Sequence, residues 1–187
     1  MTTSACLILI DMQKGMASPK AGRRNNPGAE QNIAALLASW RAQGGPVVHV
    51  RHISRSSSSP FAPGQPGAEF QDALLPLPQE HVVEKNVTDA FIHSGLERWL
   101  RVRGIEELVI VGVATNYSVE ASARTAGNLG FRTVVVSDAT FAFAMTDYAG
   151  TARTADEVHA MALANLDGEY ATIKDTRTVL GECAAAG

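Results

Sequence analysis

Six short apolar stretches along the chain have the length and composition of β-strands. They are rich in Val, Ile and Leu, and several are apolar at consecutive rather than alternate positions. Strands that are buried on both faces of a parallel sheet have this pattern. The pattern predicts strands at residues 5–11, 46–52, 81–85, 107–114, 132–137 and 170–174.

Helical periodicity fills the intervals between these strands. Apolar residues recur at helical spacing over 33–40, and Gly44 and Gly45 end that segment. Further helices are predicted at 96–102, at 115–129 and after a capping box that runs from Thr154 to Glu157. The alternation of strands and helices predicts a three-layer α/β/α domain with a six-stranded, mainly parallel sheet.

Composition narrows the class of protein. The chain has 187 residues, so we expect a single domain over residues 1–187. A net charge of -3 without a basic block argues against a nucleic-acid partner. The apolar runs are strand-sized and the first residues lack a signal-peptide pattern, so we expect no membrane association. Cys6 and Cys183 form no CxxC pair, which favours a cytoplasmic location.

A long loop between the second and third predicted strands is rich in Ser, Pro and Gly. It covers residues 55–67. Loops of this length in compact domains often belong to a functional site. The sequence leaves two interpretations open, an active-site rim or lid and a passive surface connection.

Polar residues stand at the ends of three predicted strands. Asp11 ends the first strand, Lys85 ends the third, and Ser118 follows the fourth near the start of the next helix. Ligands of parallel α/β sheets bind beyond the carboxyl ends of the strands. We therefore expect an acid, an amine and a hydroxyl to meet at one edge of the sheet.

This set of groups can support nucleophilic chemistry. A nucleophile at a helix N-terminus gains from the helix dipole, and nearby backbone N–H groups can hold an oxyanion. A carboxylate can take the proton of the nucleophile. Alternatively, Asp11 and Lys85 form a structural ion pair and Ser118 caps a helix. The spacing alone leaves both interpretations open.

Several segments resemble the signature motifs of the isochorismatase-like cysteine hydrolases. This group includes nicotinamidases, carbamoylsarcosine and ureide amidohydrolases, and isochorismatases. The resemblance covers nearly the whole chain, and the motifs are specific in combination. They are Leu-Ile-Asp-Met-Gln at 9–13, Val-Glu-Lys-Asn at 83–86, Val-Gly-Val-Ala-Thr-Asn-Tyr-Ser-Val at 111–119, and the segments 130–140 and 157–161.

The resemblance implies a Rossmann-like isochorismatase fold and a role for each matching residue. Asp11 matches the general base and Lys85 the active-site lysine. The backbone N–H groups of Ala114 and Ser118 match the oxyanion hole, and the family often has a cis peptide just before the position of Ala114. Ser118 itself stands where the family has its nucleophilic cysteine.

The serine at this position is the main departure from the family pattern. A thiol has a pKa of about 8.5 and ionises far more readily than a serine hydroxyl. We interpret Ser118 as a replacement of the catalytic cysteine that inactivates the enzyme. Two alternatives remain: a binding protein that no longer hydrolyses by a covalent route, and isochorismatase-type cleavage of a vinyl ether, which needs no nucleophile.

The histidines of the second predicted strand bear on metal binding. Nicotinamidases of this family hold a zinc-type ion through one Asp and two His, but His49-Val-Arg-His52 lacks an Asp-x-His element. Residues three apart on a strand point to opposite faces, so His49 and His52 do not converge on one ion. We therefore expect no catalytic metal and no cofactor, which favours a ureide or an aliphatic amide as the substrate.

Residues close to the matched positions are candidates for substrate binding. For His52, a surface or capping role is an equal alternative. His159, inside the fourth predicted helix, is interpreted as structural or interfacial. The candidate substrate-binding residues are Gln13, His52, Asn86, Phe91 and Tyr117.

The resemblance implies an amidohydrolase that cleaves a C–N bond in a small amide, carbamoyl or ureide substrate through a Cys-Asp-Lys type site. In the serine form we expect substrate binding with weak or no turnover. Because family members are often dimers or tetramers, we expect a homo-oligomer. The rival hypothesis is a non-catalytic small-molecule-binding protein on the same fold.

Overall fold

The computed structural model describes residues 5–185 and contains a six-stranded sheet and a separate two-stranded hairpin. The strands are β1 (Cys6–Ile10), β2 (Val47–His52), β3 (His81–Lys85), β4 (Glu107–Val113), β5 (Arg132–Phe141), β6 (Met145–Thr146), β7 (Ala152–Arg153) and β8 (Thr172–Lys174). The large sheet has the order β3-β2-β1-β4-β5-β8, and all of its neighbouring strands are parallel.

Helices pack on both faces of this sheet, so the predicted three-layer α/β/α architecture is confirmed. Along β1, Leu7 and Leu9 join the core beneath helices α1 (Ala29–Ala42) and α5 (Thr176–Ala185). Ile8 and Ile10 join the core beneath helices α2 (Leu96–Val102) and α3 (Glu120–Asn128). This double burial explains the unbroken apolar run. The helices are α1 (Ala29–Ala42), α2 (Leu96–Val102), α3 (Glu120–Asn128), α4 (Ala155–Ala164) and α5 (Thr176–Ala185).

The fifth strand departs from the predicted boundaries. It runs past residue 137 to Phe141, and its register with β4 shifts on the way. Ile110 pairs with Val135, but Gly112 pairs with Thr140, so β5 carries extra residues in a bulge. Hydrophobic periodicity does not report a bulge, because the extra residues continue to look like a strand.

Two further features were absent from the sequence prediction. They are the hairpin of β6 with β7 and the C-terminal helix α5, on which Cys183 lies buried. The capping box of α4 is confirmed, since Thr154 and Glu157 bond each other's backbone N–H groups. This helix buries Ala155, His159 and Ala162, whereas its Met161 is 64% exposed. Within residues 5–185, no helix is both long and apolar enough to cross a membrane.

A charged cluster fastens the start of β3 to its neighbours. The Glu80 carboxylate accepts hydrogen bonds from Arg41 of α1 at 2.7 and 2.8 Å and lies 2.8 Å from Nε2 of His49 on β2. Burial raises the pKa of Glu80. The hydrogen bonds from Arg41, the Leu77 N–H and His49 outweigh burial and hold this pKa at about 2.

We expect Glu80→Gln to lower the free energy of unfolding by about 2 kcal/mol at neutral pH, because the ionised carboxylate stabilises the fold. A carboxyl group with a lowered folded-state pKa contributes fully above its ordinary pKa of 4.5, and this contribution is lost as the pH falls towards about 2. Urea unfolding of both proteins from neutral to acidic pH measures the difference. A difference that stays constant over this range would contradict the assignment.

Candidate active site

Side chains from three separate segments meet at the carboxyl-terminal edge of the sheet. Asp11 follows β1, Lys85 is the last residue of β3, and Ser118 lies in a π-helical turn between β4 and α3. Lys85 Nζ donates to Asp11 Oδ2 at 2.7 Å and to Ser118 Oγ at 3.1 Å. The sequence predicted that these residues would meet, because the carboxyl ends of parallel strands share one edge.

The ion pair between Lys85 and Asp11 is removed from solvent. Their side chains are 0% and 1% exposed. The third hydrogen-bond partner of the Lys85 ammonium is the carbonyl of Val87 at 3.2 Å. An ammonium has three N–H groups, and these three acceptors occupy them, so the direction of each bond is fixed.

The environment of Asp11 suits a general base. Burial raises the pKa of Asp11 above its ordinary value, and the ammonium of Lys85 opposes this, with a smaller contribution from the Ser118 hydroxyl. Among the described residues, Asp11 Oδ1 has no hydrogen-bond partner. Because Lys85 donates to Ser118 Oγ, the Ser118 proton is free to point towards Asp11. A buried carboxylate that can accept a proton therefore stands beside Ser118.

The backbone directs Asp11 across the end of β2. Asp11 has a φ of 53°, which few residues other than glycine adopt and which Asp tolerates better than most. Its N–H donates to the carbonyl of Val50 at 2.9 Å, and its carbonyl accepts from the N–H of Gln13 at 2.7 Å. The chain thus turns sharply where β1 ends, which lets the carboxylate reach Lys85 on β3, two strands away.

The turn that carries Ser118 is held at both ends. It spans Thr115–Val119, and the carbonyl of Ala114 accepts two backbone N–H groups from it at 3.0 and 3.2 Å. The hydroxyl of Ser122 donates to the carbonyl of Ser118 at 2.6 Å. The peptide bond between Val113 and Ala114 is cis, as the resemblance implied.

Comparison with known proteins identifies the relatives of this chain. The Isochorismatase domain family model matches residues 5–178. The isochorismatase family protein YrdC of Bacillus subtilis is 37% identical over 182 residues, which are 97% of this chain and 97% of that protein. The chain belongs to the isochorismatase family.

Two further similarities describe the place of the chain among the isochorismatase-family hydrolases. A crystal structure of a family protein from Chromobacterium violaceum matches with a TM-score of 0.96 and 47% identity, over 98% of this chain and 95% of that chain. Maleamate amidohydrolase of Pseudomonas putida is 31% identical over 149 residues, which are 71% of this chain and 70% of that protein. The predicted isochorismatase-like fold is thereby confirmed.

Gln13 was expected to bind the substrate, but in this isochorismatase-family site its side chain binds the protein backbone. Its Nε2 donates to the carbonyls of His52 and Ala68, both at 2.9 Å, and its Oε1 accepts from the N–H of His52 at 2.8 Å. The side chain is fully buried, and both of its N–H groups are used. Gln13 therefore joins the end of β2 to the loop around Ala68 and does not present its amide to a substrate.

His52 lies at the edge of the cluster. Burial lowers the pKa of His52, the Lys85 ammonium lowers it further, and the Asp11 carboxylate opposes both. The ring of Phe61, from the 55–67 loop, stands perpendicular to His52 at a centroid distance of 6.3 Å. Phe61 also lines a cavity of about 330 Å³ together with Gly15, Met16, Ser18, Ala21, Pro60 and Phe143. These contacts support the interpretation of the loop as a rim.

The other expected binding residues are spread around the cluster. Asn86 is exposed and accepts a hydrogen bond from Arg55 at 2.8 Å. Tyr117 lies in the turn that carries Ser118 and is 54% exposed. Phe91 packs against the core beneath α2 and α3, with its ring 6.1 Å from that of Phe131. Phe91 is half-buried, so one side of its ring packs on the core and its role in substrate binding stays a prediction.

Sequence reasoning assigned no role to Asn26, Thr115 or Phe61. Asn26 donates to the carbonyls of Ser137 and Thr140 at 2.8 and 2.7 Å and so fastens the bulge of β5. A turn signal, Asn-Pro-Gly, starts at Asn26, but it predicts only the turn. The partners of these residues lie far away in the sequence, and no local pattern reports such contacts.

We expect Lys85→Met to lower the free energy of unfolding by about 3 kcal/mol at pH 8, because it leaves a buried carboxylate without its cation. Burial then raises the pKa of Asp11 without the opposition of the Lys85 ammonium. A group with a raised folded-state pKa loses its stabilising contribution as the pH rises through that value. The variant should therefore be less stable at pH 8 than at pH 5 in urea unfolding.

The exposed ion pair of Lys14 with Glu69 provides the matched control, since Lys14→Met should change stability little at either pH. Adding Asp11→Asn to Lys85→Met should remove the pH dependence. The electrostatic account fails if the double variant keeps the pH dependence of Lys85→Met.

Proposed function

We propose that this hydrolase cleaves a C–N bond in a small amide, carbamoyl or ureide substrate. The observation that carries the proposal is the buried cluster of Asp11, Lys85 and Ser118, in which a base with a raised pKa lies beside the nucleophile position. The similarity to maleamate amidohydrolase, an enzyme named for amide hydrolysis, supports this type of bond.

The reaction follows from the positions of these groups when residue 118 is a cysteine. Asp11 takes the thiol proton, and the sulfur attacks the carbonyl carbon of the substrate. The C–N bond breaks, and ammonia or an amine leaves with the proton that Asp11 holds. Asp11 then takes a proton from water, whose oxygen attacks the thioester. The acid product leaves, and the thiol is restored.

The turn supports the same reaction at the substrate oxygen. The backbone N–H groups of Ala114 and of residue 118 stabilise the negative charge that develops on that oxygen. Lys85 keeps the carboxylate of Asp11 in place, and its ammonium, 3.1 Å from Ser118 Oγ, favours an ionised sulfur at that point. Asp11 and Lys85 thus serve both the proton transfer and the formation of the nucleophile.

The serine leaves the cluster in place and changes the reacting atom. A hydroxyl is much harder to deprotonate than a thiol, and a carboxylate is a weak base for that task. We therefore expect the serine form to bind its substrate and to turn over weakly or not at all. An inactivated cysteine enzyme accounts for the retained Asp11 and Lys85.

The substrate is small because the cluster is largely closed to solvent. Ser118 is 7% exposed, and His52 and the Phe61 loop border the same edge of the sheet. We propose that His52 contacts the substrate and that Tyr117 and Asn86 lie at the entrance. The protein acts without a metal or cofactor and as a homo-oligomer.

Ser118→Cys tests this function. In an ammonia-release assay over a panel of small amides, carbamoyl compounds and ureides, we expect at least about a hundredfold increase in activity over the serine form on one class of compound. Adding Asp11→Asn to Ser118→Cys should abolish the gain, because the base is lost. Ser58→Cys places a thiol on the exposed loop and controls for the reactivity of any cysteine.

Other outcomes identify the rival functions. No ammonia release from any compound after Ser118→Cys would overturn the amidohydrolase proposal. Pyruvate release from isochorismate by the serine form would assign vinyl-ether hydrolysis instead. Tight binding of a panel compound without turnover in either form would assign a binding protein.

The pH profile of the Ser118→Cys form tests the role of Asp11. We expect kcat/KM to fall as the pH decreases and Asp11 becomes protonated. Because burial raises the pKa of Asp11 above its ordinary value of 3.8, the fall should begin above that pH. Steady-state kinetics in overlapping buffers measures the profile, and an acid limb at or below pH 3.8 would contradict the role.

A further inference from the structure

A buried histidine outside the cluster contacts the turn that carries Ser118. His159 lies on α4 and is 9% exposed, and its Nδ1 is 2.8 Å from Oγ1 of Thr115. Thr115 is the first residue of the turn and is 0% exposed. The contact therefore joins α4 to the segment between Ala114 and Ser118.

The opposite side of the imidazole ring faces the bulge of β5. His159 Nε2 is 3.5 Å from the side-chain nitrogen of Asn26, which itself donates to the carbonyl of Ser137 at 2.8 Å. The Ser137 carbonyl raises the pKa of the ring, as a nearby acceptor does. The ring thus spans the gap between the bulge and the Ser118 turn.

These partners assign the tautomer of His159. Both N–H groups of Asn26 are used by the carbonyls of Ser137 and Thr140, so Asn26 has none left for Nε2, and the proton of the neutral ring is placed on Nε2. Nδ1 is then the acceptor, and the Thr115 hydroxyl is the donor. Burial lowers the pKa of His159, and the Ser137 carbonyl and Asp156 oppose this, so the ring is neutral around pH 7.

We propose that His159 is a positioning residue that fixes the Ser118 turn through the hydroxyl of Thr115. Without this acceptor, the buried Thr115 hydroxyl has no hydrogen-bond partner, which costs folding free energy. The turn then shifts until the hydroxyl finds another acceptor. Such a shift moves Ala114 and Ser118 relative to Lys85 and Asp11. The inference rests on the proposed function only in taking residue 118 as the point of reaction.

The geometry distinguishes this role from simple packing. In His159→Asn the amide oxygen can take the place of Nδ1, since both are separated from the backbone by the same number of bonds. In His159→Gln the longer side chain places its amide near the position of Nε2, away from Thr115. If His159 only fills space, His159→Gln should be the milder change, because the volume of Gln is closer to that of His. If His159 acts through Nδ1, His159→Asn should be the milder change.

The reactivity of a thiol introduced by Ser118→Cys provides a readout that does not need a substrate. In that background, the rate of alkylation by iodoacetamide across pH reports the thiol pKa. We expect Thr115→Val and His159→Gln to raise this pKa by about one unit. At pH values below the thiol pKa, they should therefore slow alkylation about tenfold. His159→Asn and Thr115→Ser, which keep the hydrogen bond, should stay within about twofold.

A double variant tests whether the two residues act through one bond. Thr115→Val combined with His159→Gln should alkylate no more slowly than either single variant, because both changes remove the same interaction. His49→Gln is the matched control: it alters a buried histidine that bonds Glu80. This control should lower the thermal unfolding temperature without changing the thiol pKa.

The proposal is overturned if Gln at position 159 preserves the thiol pKa as well as Asn does. It is also overturned if Thr115→Val, which keeps the shape of the side chain, leaves the thiol pKa unchanged. If His159→Gln does not fold, the comparison of Thr115→Val with Thr115→Ser decides. Ser118→Cys could hydrolyse no compound while Thr115→Val and His159→Gln still slow alkylation and Thr115→Ser and His159→Asn do not. In that case the proposed function fails and the positioning role stands.

Discussion

The buried ion pair between Asp11 and Lys85 joins two strands that do not touch each other in the sheet. β2 lies between β1 and β3, so the pair closes over the end of β2 and defines the floor of the candidate site. A buried carboxylate and ammonium are tolerated only when each satisfies the other and their remaining hydrogen-bonding groups find partners. Lys85 meets this condition, whereas Asp11 keeps one oxygen open within the described chain.

Other buried polar side chains hold the irregular segments around this pair. Gln13 binds the end of β2 and the following loop, Asn26 binds the bulge of β5, and His159 binds the Ser118 turn. Each connects backbone segments that no regular ladder can satisfy. These contacts are made by side chains from distant parts of the chain, and they restrain a site that is built largely from turns. The proposed oxyanion hole depends on such restraint, because its N–H groups must be held in place.

The serine at position 118 fits the arrangement of the site but is much less acidic than a thiol. Its Oγ lies where Lys85 can donate to it and where Asp11 is the adjacent base. The same placement that would activate a thiol gives a hydroxyl little help, because the two groups differ so widely in acidity.

The sequence by itself determined the layers of the fold, the strands that supply the site and the residues Asp11, Lys85 and Ser118. These follow from apolar runs, from turn and capping residues, and from motifs that are local along the chain. Only the tertiary structure decided what the buried polar residues around this cluster do. It assigned Gln13 to structural contacts, and it brought His159 to the turn. Each of these depends on partners far away in the sequence, and the energy of a buried hydrogen bond depends on what the fold places opposite it.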